Sequence, residues 1–530
     1  MSLFCEKKIF AFIHGHARVI LQRRVNSIWD GKIGPGDSLK KPKAVIVTPS
    51  LCDFYTTSHR LSALGAKVVE NILRREGWDT RLLNFPKTGK QTLSLPPSHT
   101  HLKPYLIPGE FGPTSFFSRY QRFGPSPEDG ASIILAENPD VVCLSCFAFA
   151  YADDTLSLAR HIKEQQPSIP VYVGGAGVSV LPDYFKASQH IDAVIAGEAE
   201  STLTAFLSGN RDPGFSGGPS NQNPVGIDFS IATTGSSRNG LWLTTALSRG
   251  CPRKCRFCAN HLTHGRVFRT VPIDTFLSAL QKFPKDTPLH INFEDDNLLL
   301  DKDYFFAVLQ AIRKRFPRVD FSAENGMDYL LLDMDTLDRL LALGFRQLNL
   351  SMASLSPSIL KDAHRQGDTQ QLQEVLGYLS RKNIPSITYF ICGLKQDTPD
   401  SVLENIHFIA RQPTRMGISL FYPVPGLPGF TDTQAFFESD SHLCTGSAAF
   451  PWSGSLTTPQ MITAFRMARF VNFAKKTEYA SHELDLLQQI QKNRKLYTFQ
   501  RKGKQKTMLR PPGLDIEMEK TFFENTRFMF

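Results

Sequence analysis

No stretch of this sequence approaches the roughly 20 consecutive apolar residues that a membrane helix needs, so a membrane span is not expected. The amino-terminal segment MSLFCEKKIFAFIHGHARVIL imitates a signal peptide only in pieces. His14, His16 and Arg18 interrupt its apolar stretch, and no small-residue cleavage site follows. Cysteine is scarce: nine in 530 residues, with no regular spacing, which argues against a disulfide framework and for a reducing compartment. The expected location is cytoplasmic. Acidic residues are outnumbered, 50 against 60 basic ones, for a net charge of +10. That balance permits contact with anionic ligands without requiring it. A dinucleotide fingerprint is also missing. Gly175 and Gly177 fit the G-x-G start, but position 180 is Val180, and the cluster follows a late strand.

Three of the nine cysteines are concentrated in one stretch, Ser248 to His264, which reads SRGCPRKCRFCANHLTH. Cys251, Cys255 and Cys258 are spaced C-x3-C-x2-C, with Phe257 before the last. Three thiolates on one loop can hold a metal centre and leave a coordination position open, whereas a structural site closes it. An iron–sulfur cluster is one candidate. A zinc site is another, with His261 or His264 completing a Cys3His set. Cys143 and Cys146 are a different case. Three apart on a strand, they point to opposite faces and read as core residues.

The chain divides by pattern. Residues 1–42 form a basic lead-in ending in a Gly/Pro/Ser-rich linker. From residue 43 to 208, short β-branched runs alternate with helical periodicity, with strands expected at 44–48, 80–84, 140–148, 171–173 and 193–196. This predicts a doubly wound, Rossmann-like parallel sheet. A long Pro- and Gly-rich excursion, 86–127, interrupts it and is of a length that often covers a ligand. Residues 209–240, rich in Gly, Ser, Asn and Pro, read as a linker. A second series follows over 241–430, with strands at 241–247, 289–293, 320–323, 347–351, 386–392 and 417–422. Six βα units predict a partial barrel, whose chemistry belongs at the carboxyl ends of its strands. Residues 431–530 are expected to be mainly helical, with helices at 458–475 and 483–493 and a basic, solvated tail from Arg494 to Arg510.

With the cysteine loop following the first strand of that barrel, the sequence resembles the radical S-adenosylmethionine (SAM) enzymes on Cys251, Cys255, Phe257 and Cys258. The resemblance implies a 4Fe–4S cluster whose open iron chelates SAM. It also implies reductive cleavage to methionine and a 5′-deoxyadenosyl radical, fed by a reductant such as flavodoxin or ferredoxin. It further implies that Glu294 and Asp295, ending the second strand, meet the SAM amino group. Ser351, Ser354 and Arg365 would meet its ribose and carboxylate, and Gly393 and Tyr422 its adenine. The preceding domain resembles the cobalamin-binding domains fused ahead of such barrels, on Pro139-Asp140-Val141-Val142, Gly174-Gly175 and the run Gly197-Glu198-Ala199-Glu200. Ser145, Gly174, Gly175, Gly197 and Glu198 are the cofactor contacts this implies. The D-x-H-x-x-G motif that supplies a histidine to cobalt is absent, so cobalamin is expected to bind without one; His59 lacks the required neighbours.

The implied reaction is cobalamin-dependent methyl transfer to a carbon of a small-molecule substrate, with 40 phenylalanines pointing toward an apolar one. Two alternatives remain. One is radical oxidation, cyclisation or rearrangement without methyl transfer. The other is a non-enzymatic zinc or iron–sulfur protein that holds nucleic acid with its basic tail, a reading disfavoured by two complete βα series.

Overall fold

The structure is a computed structural model. It describes residues 41–54, 62–106, 119–207, 232–237, 240–427, 440–476, 497–501 and 504–508. The lead-in 1–40, with Cys5, His14 and His16, His59, and the helix expected at 483–493 lie outside the described residues.

The first described strand, β1 (Lys43–Thr48), is an Ala-Val-Ile-Val run with no exposed face, as a central parallel strand requires. A short β2 (Leu51–Asp53), the helix Leu64–Arg75 and β3 (Asp79–Asn84) follow. After β4 (Lys90–Thr92) and β5 (Gln121–Phe123) the alternation resumes with helix Pro127–Ala136, β6 (Val141–Ser145), helix Ala152–Gln165, β7 (Val171–Gly174) and β8 (Ala193–Ile195). The main sheet is parallel, in the order β3-β1-β6-β7-β8. Each face has its own apolar core. Cys143 belongs to one and Cys146 to the other, as their spacing on β6 dictates. The described part of the excursion is more ordered than a loop. Strands β2, β5 and β4 form a small antiparallel sheet, and Phe54, Leu102, Tyr105 and Tyr120 join the core of the second domain.

The stretch read as a linker contains a strand, β9 (Ala232–Ser237), paired antiparallel with β10 (Gly240–Thr245). Next comes a clasp, β11 (Ser248–Arg249) against β12 (Arg269–Thr270), which closes the two ends of the cysteine loop. The barrel strands continue as β13 (Leu289–Phe293), β14 (Val319–Ser322), β15 (Leu348–Ala353), β16 (Ser386–Cys392) and β17 (Arg415–Leu420). They form two sheets, β14-β13-β10-β9 and β15-β16-β17. Isolated parallel bridges from Phe321 to Phe345 and from Met327 to Leu350 join them. The result is a partial barrel of six parallel strands. Its helices start on strong caps: Asp301, Asp333 and Asp368 each accept the backbone N–H three residues on, and Thr398 forms a capping box. Such caps contribute about 1 kcal/mol each and set where each strand-end loop stops.

Phenylalanine abundance has a packing explanation. Phe293, Phe305, Phe321, Phe345 and Phe390 are fully buried in the barrel core, so it does not indicate an apolar cavity. In the carboxyl-terminal region, helix Thr458–Lys476 packs on the barrel, with Ile462, Met467 and Val471 in its core. Within the basic segment, β18 (Tyr497–Arg501) and β19 (Lys504–Met508) form an antiparallel hairpin. Among the described residues no helix is long and apolar enough to cross a membrane.

Candidate active site at the barrel mouth

The cysteine loop is held in place by the end of β13. Asp295 accepts the backbone N–H groups of Leu247 (3.1 Å) and Ser248 (2.7 Å) and the Ser248 hydroxyl (2.5 Å). Asp296 accepts Gly250 N–H and the Asn260 amide, both at 2.8 Å. Gly250, at φ +81°, lets the chain turn toward Cys251; a Cβ there would lie 2.1 Å from the Val267 carbonyl oxygen. Arg256 N–H donates to Ala363 O (3.0 Å), and the Arg266 side chain donates to Arg253 O (2.6 Å). Three separate segments thus fix one loop.

Cys251, Cys255 and Cys258 open into a cavity of 570 Å³ at the carboxyl ends of the barrel strands. Phe257, Glu294, Ser351 and Arg365 line the same cavity. Burial raises the Cys251 thiol and pushes Cys258 up to about 11; a bound metal centre would favour the thiolate forms. Two sulfurs on one zinc ion lie about 4 Å apart, from bond lengths near 2.3 Å. Among the described residues, the groups whose ligand atoms all fall within 4.8 Å are Cys52–Asp154–His442 and Asp153–Asp440–His442; the three loop cysteines are not such a group. Of the two histidines that could each complete a zinc site, His261 bonds through Nδ1 to Cys258 O (3.1 Å) and His264 through Nδ1 to Glu198 (3.1 Å).

The polar lining suits a zwitterionic ligand. The Arg365 guanidinium bonds Ser351 O (3.1 Å) and Asp328 (3.3 Å), while its buried Nε has no partner. Asn297 Oδ1 is likewise buried and unpaired. Burial raises the Glu294 carboxyl above its usual range, against a hydrogen bond from Ser62. A carboxylate ligand suits the free Nε, and an ammonium suits Glu294. Sequence reasoning missed the end of the third strand, where Glu324, Gly326 and Asp328 line the cavity and Asp328 also binds Arg253 at 2.6 Å. The barrel rule that chemistry sits at strand ends was the available signal.

Other expected contacts are placed as follows. Asp295 lines the cavity, with its carboxylate engaged by the loop backbone. Ser354 is buried outside the cavity lining, its hydroxyl accepting Ser356 N–H. Gly393 and Tyr422 are not part of the lining either. Asp397 takes Gly393 N–H and Ser453 its carbonyl.

At the first domain, Ser145 and Gly174 are paired at the carboxyl ends of β6 and β7. Gly175 is required by chain packing, since a Cβ would lie 2.4 Å from Cys146 O. Gly197 N–H is spent on the Ser179 hydroxyl, and Glu198 is bound by Arg269. The Gly197 N–H and the Glu198 carboxylate are therefore engaged within the protein. At the end of β1, by contrast, the buried Thr48 hydroxyl has no partner, which fits a ligand at this edge. His442 packs here with both ring nitrogens in ion pairs, to Asp154 (3.0 Å) and Asp440 (2.8 Å), so it is not free to ligate cobalt.

Comparison with known proteins agrees with this geometry. The radical SAM superfamily model matches residues 245–409, and the B12 binding domain model matches 120–207. The chain thus carries a radical SAM domain with a B12-binding domain ahead of it. Those domain types imply a 4Fe–4S cluster, S-adenosylmethionine and cobalamin as cofactors. Bacteriochlorophyllide d C-12(1)-methyltransferase of Chlorobaculum tepidum is 24% identical over 50% of this chain and 60% of its own. Hopanoid C-3 methylase of Methylococcus capsulatus is 24% identical over 76% of this chain and 74% of its own. The radical SAM methyltransferase TsrM of Kitasatospora setae, solved with cobalamin and a 4Fe–4S cluster bound, shares the fold. Its TM-score is 0.51 at 15% identity, covering 73% of this radical SAM chain and 77% of TsrM.

Proposed function

We propose that this radical SAM enzyme is a cobalamin-dependent methyltransferase acting on a carbon centre of a small molecule. The observation that carries the reading is a contact. Ala259 and Leu262, on the segment leaving Cys258, pack into the core of the B12-binding domain. A corrinoid at that domain's sheet edge and a cluster on the cysteine loop thus share one neighbourhood.

The chemistry these groups supply when bound is one-electron cleavage of S-adenosylmethionine and methyl donation from the corrinoid. The protein's part is binding and orientation. Cys251, Cys255 and Cys258 ligate the cluster, and Phe257 walls it. Arg365 takes the methionine carboxylate through its free Nε, Glu294 takes the ammonium, and Ser351 borders the ribose. Thr48 and the Ser145–Gly174 edge face the corrinoid, which binds without a protein histidine. We assign 43–208 to the cobalamin domain and 241–430 to the barrel. A flavodoxin- or ferredoxin-type donor supplies the electron, in the cytoplasm. The two relatives are named for a bacteriochlorophyllide and a hopanoid, which favours an apolar substrate here.

The test is reconstitution with cobalamin and methyl-deuterated S-adenosylmethionine. Corrinoid absorbance on the purified protein, with deuterated methyl recovered on cobalt, supports methyl transfer. A protein that cleaves S-adenosylmethionine yet retains no corrinoid contradicts it and favours radical chemistry without methylation.

A further inference from the structure

The clasp that closes the cysteine loop carries two arginines as cross-strand partners, Arg249 on β11 and Arg269 on β12. Two guanidiniums this close repel, and Arg269 is almost wholly buried, at 3% exposure. Their counter-charges come from the other domain. Arg269 bonds both oxygens of Glu198, at 2.8 and 2.7 Å. Arg249 bonds Glu200 at 2.6 Å. His264, ending the helix after Cys258, adds its Nδ1 to Glu198 at 3.1 Å. Arg269 also donates to His264 O at 2.6 Å, tying the clasp to that helix. Burial works against the Glu198 charge, but His264, Arg269 and Arg249 outweigh it and hold the carboxyl at about 2.

We infer that Glu198 is a positioning residue for the cluster loop, so that the B12-binding domain completes the cluster site as well as holding its own cofactor. The loop is gripped from two sides. Asp295 and Asp296 of the barrel hold its entry and its exit, and Glu198 of the B12-binding domain neutralises the clasp. Without Glu198 the buried Arg269 charge keeps only backbone carbonyl acceptors and loses its carboxylate counter-charge, and such a site relaxes by opening. The clasp would then part and the three cysteines would lose their common geometry. This role rests on the proposed cluster at Cys251, Cys255 and Cys258 but not on methyl transfer.

The test uses full-length, anaerobically reconstituted protein. Iron release to a chelator, the electron paramagnetic resonance spectrum of the reduced cluster with and without S-adenosylmethionine, and cobalamin content are measured. Glu198→Gln is expected to speed iron release about tenfold or more, as losses among groups that orient metal ligands do, and to alter the S-adenosylmethionine-dependent spectrum. Cobalamin content stays as in the wild type. Adding Arg269→Met to Glu198→Gln removes the orphaned charge and recovers much of the iron retention. Glu198→Asp, with one methylene less reach, gives an intermediate rate and serves if the Gln variant does not fold. Wild-type iron retention and spectra in both single variants overturn the inference, as does loss of cobalamin with the cluster unchanged. A wild-type protein that takes up no iron contradicts the cluster assignment itself, which separates the two failures.

Discussion

Asp295 Oδ1 accepts the Ser248 backbone N–H at 2.7 Å and the Ser248 hydroxyl at 2.5 Å. The end of the second barrel strand therefore holds the entrance of the cysteine loop. Asp295→Asn keeps the size but removes the charge and, with its oxygen in the Oδ1 place, turns an amide donor toward the Leu247 N–H that Oδ2 accepts. Iron retention is expected to fall about 10- to 100-fold, the range for groups that orient metal ligands. Chelator-release kinetics measure this, and wild-type kinetics would contradict it.

Arg365 has a buried Nε without a partner in a cavity lined by the three cysteines. Arg365→Lys keeps the charge and loses the planar fork. The KM for S-adenosylmethionine is expected to rise about tenfold or more, since the charge-assisted bond from Nε is lost. Iron content stays unchanged. An unaltered KM would remove Arg365 from ligand binding.

Gly250 sits at φ +81° with the Val267 carbonyl where its Cβ would be. Gly250→Ala is expected to cost about 1–3 kcal/mol from the backbone conformation alone, and more from the clash. Denaturant unfolding reads the stability, and iron content reads the displaced cysteine. A fully stable, iron-replete variant would show that the turn relaxes freely.

These tests follow how the molecule was legible. Periodicity located every parallel strand of both domains within a few residues, because buried parallel strands are unbroken apolar runs such as Ala44–Val47. The loop was legible because thiolate ligands cluster in sequence. Charge partners were not. Glu198 and Arg269 are 71 residues apart, and no local pattern distinguishes a carboxylate facing a cofactor from one facing an arginine across a domain boundary. The antiparallel sheet of β2, β5 and β4 was equally hidden, since three-residue strands carry no readable period. Asp328 was passed over because only its contacts with Arg253 and Arg365 mark it.

His442 lies between Asp154 and Asp440, joining the carboxyl-terminal segment to the first domain. Burial opposes its charge, but the two carboxylates outweigh burial and raise its pKa well above 6.5. The stabilisation it contributes is complete below pH 6.5 and is lost as pH rises through the folded-state value. Asp440, lowered from 3.8 to about 2 because His442 overrides the effect of burial, loses its contribution as pH falls from 3.8 toward 2. Removing one partner of a buried pair costs about 3–5 kcal/mol. His442→Gln should therefore lower stability by that order near pH 6 and flatten the decline on the alkaline side. Chemical denaturation across pH measures both effects, and an unchanged alkaline profile would show that His442 is neutral in the fold.

The central claim is that Cys251, Cys255 and Cys258 hold a cluster with an iron open to S-adenosylmethionine. Its most direct test is to quantify iron and 5′-deoxyadenosine on one sample of anaerobically reconstituted, reduced protein given S-adenosylmethionine. The account predicts about four irons per chain, as for a cubane cluster, together with 5′-deoxyadenosine, and loss of both in Cys255→Ala. A colourless, zinc-loaded protein that leaves S-adenosylmethionine intact would contradict it.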